Sequence, residues 1–128
     1  MTAAPPKRRI LVADDDKECQ SFLRDALTEL GYDVTVVSDG AALYRRAVED
    51  PPDLIISDLD MPGLSGGTAE ALLRAEARTR SVPILFVTGQ GEERQARLVE
   101  FRPGLQILRK PLKLTELAAA VAEHLPPP

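Results

Sequence analysis

Four places in this 128-residue chain carry side chains that could do chemistry together. Asp14-Asp15-Asp16 follows the apolar run Arg9–Ala13, and Asp58 follows the apolar run Leu54–Ser57. Thr88-Gly89 ends the run Pro83–Thr88, and Lys110-Pro111 comes just after Leu105–Leu108. Carboxylates gathered at one rim repel each other, and a cation relieves that repulsion. Hard oxygen ligands in this number suit Mg²⁺, which takes one or two carboxylates together with waters and a phosphate. A Thr88 hydroxyl and a Lys110 ammonium at the same rim complete a site for a phosphoryl group, with lysine serving as a compact point charge. Each residue also has a plainer role: Asp16 can cap a helix, Asp58 can close a turn, Thr88 favours a strand, and Lys110 can be solvated. Their joint placement after four apolar runs is what argues for chemistry.

These residues meet only if the runs before them are neighbouring parallel strands, and the intervening sequence supports that. Asp16 is a helix N-cap, and Cys19, Phe22, Leu23, Ala26, Leu27 and Leu30 recur on one helical face until Gly31. Val34–Val37 reads as a strand ending in Ser38-Asp39, a turn and helix N-cap, and Ala41–Glu49 as a helix stopped by Pro51-Pro52. After Leu54–Ser57 a loop with Pro62, Gly63, Gly66 and Gly67 leads to a helix near Thr68–Arg78. Pro83–Thr88 is a strand, Glu92–Arg102 a shorter helix ended by Pro103-Gly104, and Leu105–Leu108 the last strand. Leu114, Leu117, Ala118, Val121 and Leu125 line one face of a final helix. About five βα units with near-continuously apolar strands predict a doubly wound parallel sheet, α/β in class, with helices on both faces. In such a sheet ligands bind beyond the carboxyl ends of the strands, where all four chemical clusters fall.

Composition narrows the function. The 16 Lys+Arg against 20 Asp+Glu give a net charge of −4, the wrong sign for a nucleic-acid surface. Trp is absent and Phe and Tyr number five together, which leaves little aromatic surface for stacking on bases. Cys19 is the single cysteine and His124 the single histidine, so an internal disulfide is excluded and a zinc site or histidine-based triad has no usual ligand set. No apolar run approaches the ~20 residues of a membrane span, and only four apolar residues follow Arg8-Arg9, too few for a signal peptide. The chain is expected to be cytoplasmic. Residues 1–7 read as a disordered leader, 8–125 as a single domain, and 126–128 as a Pro-rich tail or linker stub.

The sequence resembles the receiver domains of response regulators in two-component signalling, from about Arg9 to Leu125. The resemblance rests on Ile10-Leu11-Val12-Ala13-Asp14-Asp15, on Asp53 through Gly66 with its D-x-x-M-P-x-x-x-G pattern from Asp58, on Pro83–Thr88, and on Leu108-Arg109-Lys110-Pro111-Leu112. It implies a flavodoxin-like five-stranded sheet in the order 2-1-3-4-5. It also implies phosphorylation at Asp58 and Mg²⁺ bound by Asp15 and Asp58 directly, by Asp14 largely through water, and by the Asp60 main-chain carbonyl. Thr88 and Lys110 would bind the phosphoryl group, with main-chain N–H donors near Leu59 and Gly89. The implied partners are a histidine kinase or histidine phosphotransfer protein and an output protein, with phosphorylation-dependent dimerisation and no direct contact to nucleic acid or membrane.

The pattern is departed from at Ile107, in the stretch Arg102-Pro103-Gly104-Leu105-Gln106, which lacks the usual Gly-Ala start, and at Asp60, which adds a charge near the phosphoryl group. The position three residues before the lysine is commonly Tyr or Phe in this family and swings inward with the threonine; here it is Ile107. A switch of Thr88 and Ile107 would therefore lack its aromatic half. Two other functions compete. Asp58-Leu59-Asp60 is also what a haloacid-dehalogenase-like phosphatase shows at its nucleophile, but that family places its further metal-binding aspartates after the nucleophile, whereas Asp14-Asp15 precede it. A receiver-like interaction module without phosphorylation is disfavoured because the site residues are all present.

Overall fold

Near-continuously apolar strands, which send successive side chains to opposite faces of one sheet, build the molecule. The computed structural model describes residues 6–61, 63–89 and 106–125. Strands β1 (Arg9–Ala13), β2 (Asp33–Val37), β3 (Leu54–Asp58), β4 (Ile84–Thr88) and β5 (Gln106–Arg109) form one sheet in the order β2-β1-β3-β4-β5. Every pairing is parallel, with Ile10 beside Val34 and Leu54, Ile56 beside Leu85, and Phe86 beside Ile107. Successive residues on a strand face opposite sides. Ile10, Val12, Leu54, Ile56, Leu85 and Val87 thus pack on one face, against α1 (Lys17–Glu29) and α4 (Leu114–His124). Leu11, Ala13, Ile55, Ile84 and Phe86 pack on the other, against α2 (Gly40–Glu49) and α3 (Gly66–Ala75). This is the predicted doubly wound α/β architecture, flavodoxin-like in strand order.

Local chemistry fixes the helix ends. Asp16 accepts the Glu18 N–H at 3.1 Å, and Asp39 accepts the Ala42 N–H at 2.8 Å. At the end of α1, Gly31 takes a φ of 101°, its N–H reaching the Thr28 carbonyl while the Tyr32 N–H reaches that of Leu27. This paired closure satisfies carbonyls the helix leaves open, and a left-handed φ suits glycine.

The structure departs from the sequence reading at several elements. The third helix is Gly66–Ala75 rather than Thr68–Arg78, because Ser65 supplies the cap by accepting the Thr68 N–H at 3.2 Å. The last strand is Gln106–Arg109. Edge strands β2 and β5 are half-buried, whereas β3 and β4 are buried throughout. On α4, Leu114 is 49% exposed, and Ala120 lies in the core with Leu117 and Val121. The expected helix Glu92–Arg102, the leader to Pro5 and the tail from Pro126 lie outside the described residues. Among those described, no helix is long and apolar enough to cross a membrane.

One close approach ties α3 to the carboxyl end of β3. A Cβ on Gly66 would lie 2.1 Å from the Asp58 carbonyl oxygen, while one on Gly67 would meet nothing within 4 Å. Gly66→Ala is expected to destabilise the fold by about 1–3 kcal/mol through overpacking. Gly67→Ala, in the same helix, should be stabilising by up to about 1 kcal/mol. Urea denaturation of the two variants checks this; equal effects would contradict the packing.

Candidate functional site

The carboxyl ends of β1 and β3 lie side by side, and each delivers a carboxylate to the same point. Asp14 follows the last residue of β1 and is fully buried; its N–H donates to the Val37 carbonyl at 3.1 Å, and its Oδ1 accepts the Asp16 N–H at 2.8 Å. Asp58 closes β3, is 6% exposed, and accepts the Asp60 N–H on Oδ1 at 3.0 Å. Asp15 is exposed beside them. Asp14, Asp15 and Asp58 each offer an oxygen within 4.8 Å of the others.

Lys110 reaches this cluster from beyond β5. Its N–H donates to the Thr88 carbonyl at 2.8 Å, which carries the pairing of β4 and β5 one residue further, and its peptide bond to Pro111 is cis. Its Nζ stands 3.2 Å from Asp58 Oδ2 and 3.2 Å from Asp14 Oδ2. With all groups ionised, three carboxylates face one ammonium, so negative charge is in excess. Burial pushes the Asp58 carboxyl above its ordinary range, although the Asp60 N–H and Lys110 pull the other way. Burial opposes the charge on Lys110, but Asp58 and Asp14 more than offset it and hold the ammonium above the usual lysine value. Cys19 is also buried; burial and the neighbouring Asp14 carboxylate push its thiol up to about 12, so it stays protonated.

The arrangement fits a hard divalent cation. Its donors are carboxylate oxygens, its charge is unbalanced, and Asp14 Oδ2 is buried with no hydrogen bond despite the nearby ammonium. An ion there would have an open side, since Asp15 is exposed and a cleft of about 470 Å³ adjoins Lys110, Gly89, Cys19 and Phe22.

Of the residues singled out in the sequence, Asp14, Asp15, Asp58 and Lys110 are brought together. Thr88 is fully buried at the end of β4, next to β3, and Gly89 lies beside the Lys110 stem, where an added Cβ would be 3.6 Å from Cδ. Ile107 is half-buried on the α2/α3 face, in register with Phe86. Leu59 departs from expectation: its N–H is spent on the Val87 carbonyl at 3.1 Å, continuing the sheet, so the amide that reaches Asp58 is that of Asp60. Gln20 was missed. It is buried and bonded to the Asp14 carbonyl, and a polar residue bordering the apolar stripe of α1 was its only signal.

Comparison with known proteins agrees with this geometry. The family model of the response regulator receiver domain matches residues 10–122. The response regulator receiver protein CpdR of Brucella abortus is 32% identical over 118 residues, 92% of this chain and 97% of CpdR. The transcription factor SKN7 of Candida albicans is 33% identical over 127 residues, but the chain spans only 22% of that protein's length. The receiver domain of sensor histidine kinase PA1611 from Pseudomonas aeruginosa, solved with a magnesium ion coordinated in its active site cleft, superimposes with a TM-score of 0.84 at 31% identity, covering 93% of this chain and 98% of that one. The chain belongs to the response regulator receiver domain family, the signalling modules of two-component systems.

Proposed function

We propose that the chain accepts a phosphoryl group on Asp58 from a histidine kinase or histidine phosphotransfer protein in the cytoplasm, with Mg²⁺ as cofactor, and signals onward through protein contacts. The observation that carries this reading is Lys110 Nζ standing 3.2 Å from both buried carboxylates while Asp15 lies exposed beside them. An Asp58 oxygen attacks the phosphorus of the donor phosphohistidine; the new O–P bond forms as the N–P bond breaks and the imidazole leaves. Lys110 then moves from pairing with a carboxylate to pairing with the transferred group. Asp14, Asp15 and Asp58, with the Asp60 main-chain carbonyl, would hold Mg²⁺. The ion would supply neutralisation of the charge spread over the phosphoryl oxygens, the main demand of phosphoryl transfer. The Thr88 hydroxyl and the Gly89 N–H, at the adjoining strand end, would bond phosphoryl oxygens. A haloacid-dehalogenase-like phosphatase is not supported, because the family match is to receiver domains.

Incubation with acetyl phosphate and Mg²⁺ is expected to add one phosphoryl group by intact mass spectrometry. Asp58→Asn should reduce the rate at least about a hundredfold, the scale on which a removed reacting group is felt. An equal rate in the variant would overturn the assignment.

Ile107 bears on how the phosphorylated state is signalled. A β-branched side chain has a stiff χ1, and Ile107 is packed with the cluster that contains Phe86. Comparing structures with and without beryllofluoride is expected to show Ile107 in one rotamer, with the main chain after Thr88 displaced. A flip of Ile107 coupled to Thr88 over an unmoved main chain would contradict this.

A further inference from the structure

We infer that Gln20 is a positioning residue for the acidic turn, and that it sets Mg²⁺ affinity by holding the peptide plane from which Asp15 projects. The inference rests on the metal-dependent reading of the site given above. Gln20 lies in the first turn of α1, where its N–H donates to the Asp16 carbonyl at 2.9 Å. Its side chain is 6% exposed and turns back toward β1, with Nε2 donating to the Asp14 carbonyl oxygen and, at 3.1 Å, to Ser38 Oγ. One buried amide thus ties the β1–α1 turn to the β2–α2 turn.

The Asp14 carbonyl belongs to the planar peptide unit that joins Asp14 to Asp15, so fixing that oxygen fixes the direction in which the Asp15 Cα leaves. This matters because among the described residues no hydrogen bond or ion pair holds the Asp15 carboxylate itself. Asp14 and Asp58 are anchored by Lys110 and by main-chain N–H groups, whereas the place of Asp15 is set by its backbone. Like charge on Asp14 and Asp58 pushes Asp15 outward, and the Gln20 amide resists that push through the backbone. Outer contacts that orient a metal ligand typically govern 10–100-fold in affinity.

Gln20→Met keeps length and volume but removes both donors. Calorimetric titration with Mg²⁺ is expected to show affinity about tenfold weaker than wild type, with folding retained by circular dichroism. Ser38→Ala, at an exposed position, loosens one anchor of the amide and should weaken Mg²⁺ about two- to threefold. A folded Gln20→Met with unchanged Mg²⁺ affinity, even with a lowered urea midpoint, would reduce Gln20 to a structural residue and overturn the inference. If Gln20→Met does not fold, Ser38→Ala decides by the same criterion. A wild-type protein that binds no Mg²⁺ would instead overturn the metal-dependent reading, and the inference with it.

Discussion

Two buried carboxylates from different strands share one ammonium, and the upper end of the sheet is organised around that arrangement. Asp14 and Asp58 stand 3.2 Å from the same Lys110 Nζ. With oxygens within 4.8 Å of one another, a pair of like charges costs about 3.5–4 kcal/mol in a medium of effective dielectric near 20. One lysine opposes that repulsion but does not cancel three negative charges. On the proposed reading, the residual negative charge would make the site a receptor for a cation and, through the cation, for a phosphoryl group. Removing one partner of a buried ion pair is costly, commonly about 3–5 kcal/mol, because the other charge is left uncompensated. The site is therefore expected to hold strain that metal binding relieves.

The sheet supplies this arrangement through its strand order. In the order β2-β1-β3-β4-β5 the chain path reverses between β1 and β3, and a crevice forms there beyond the strand ends. Asp14 and Asp58 come from those two strands. β4 then places Thr88 next to β3, and its carbonyl accepts the Lys110 N–H, so each strand of the row positions the next contributor. The core on both faces holds the strand ends in place: Val12, Ile56 and Val87 toward α1 and α4, and Ala13 and Phe86 toward α2 and α3.

Much of this was legible in the sequence because the determining signals are local. Asp16 and Asp39 act as helix caps where their type and place predicted, and the apolar runs ending in Ala13, Asp58 and Thr88 are strands at nearly the expected bounds. What escaped depends on tertiary placement. Paired glycines hide the start of α3, since Gly66 is there because a Cβ would lie 2.1 Å from the Asp58 carbonyl oxygen, a constraint no periodicity records. The half-burial of β2 and β5 follows from their edge positions, which strand composition does not specify. Motif position puts the Leu59 amide on the ligand side, but the ladder continues one residue past β3 and consumes it. The role of Gln20 is not legible because its partner, the Asp14 carbonyl, is main chain and leaves no mark in side-chain type.

On this reading excess negative charge, not the lysine, would make the cation site. Calorimetric titration of Lys110→Ala with Mg²⁺ against the wild-type chain separates the two. If charge excess governs, the folded variant binds one Mg²⁺ as tightly as wild type or more tightly, because a competing positive charge is gone. Loss of Mg²⁺ binding in a folded Lys110→Ala would contradict the account and make the lysine the organiser of the site.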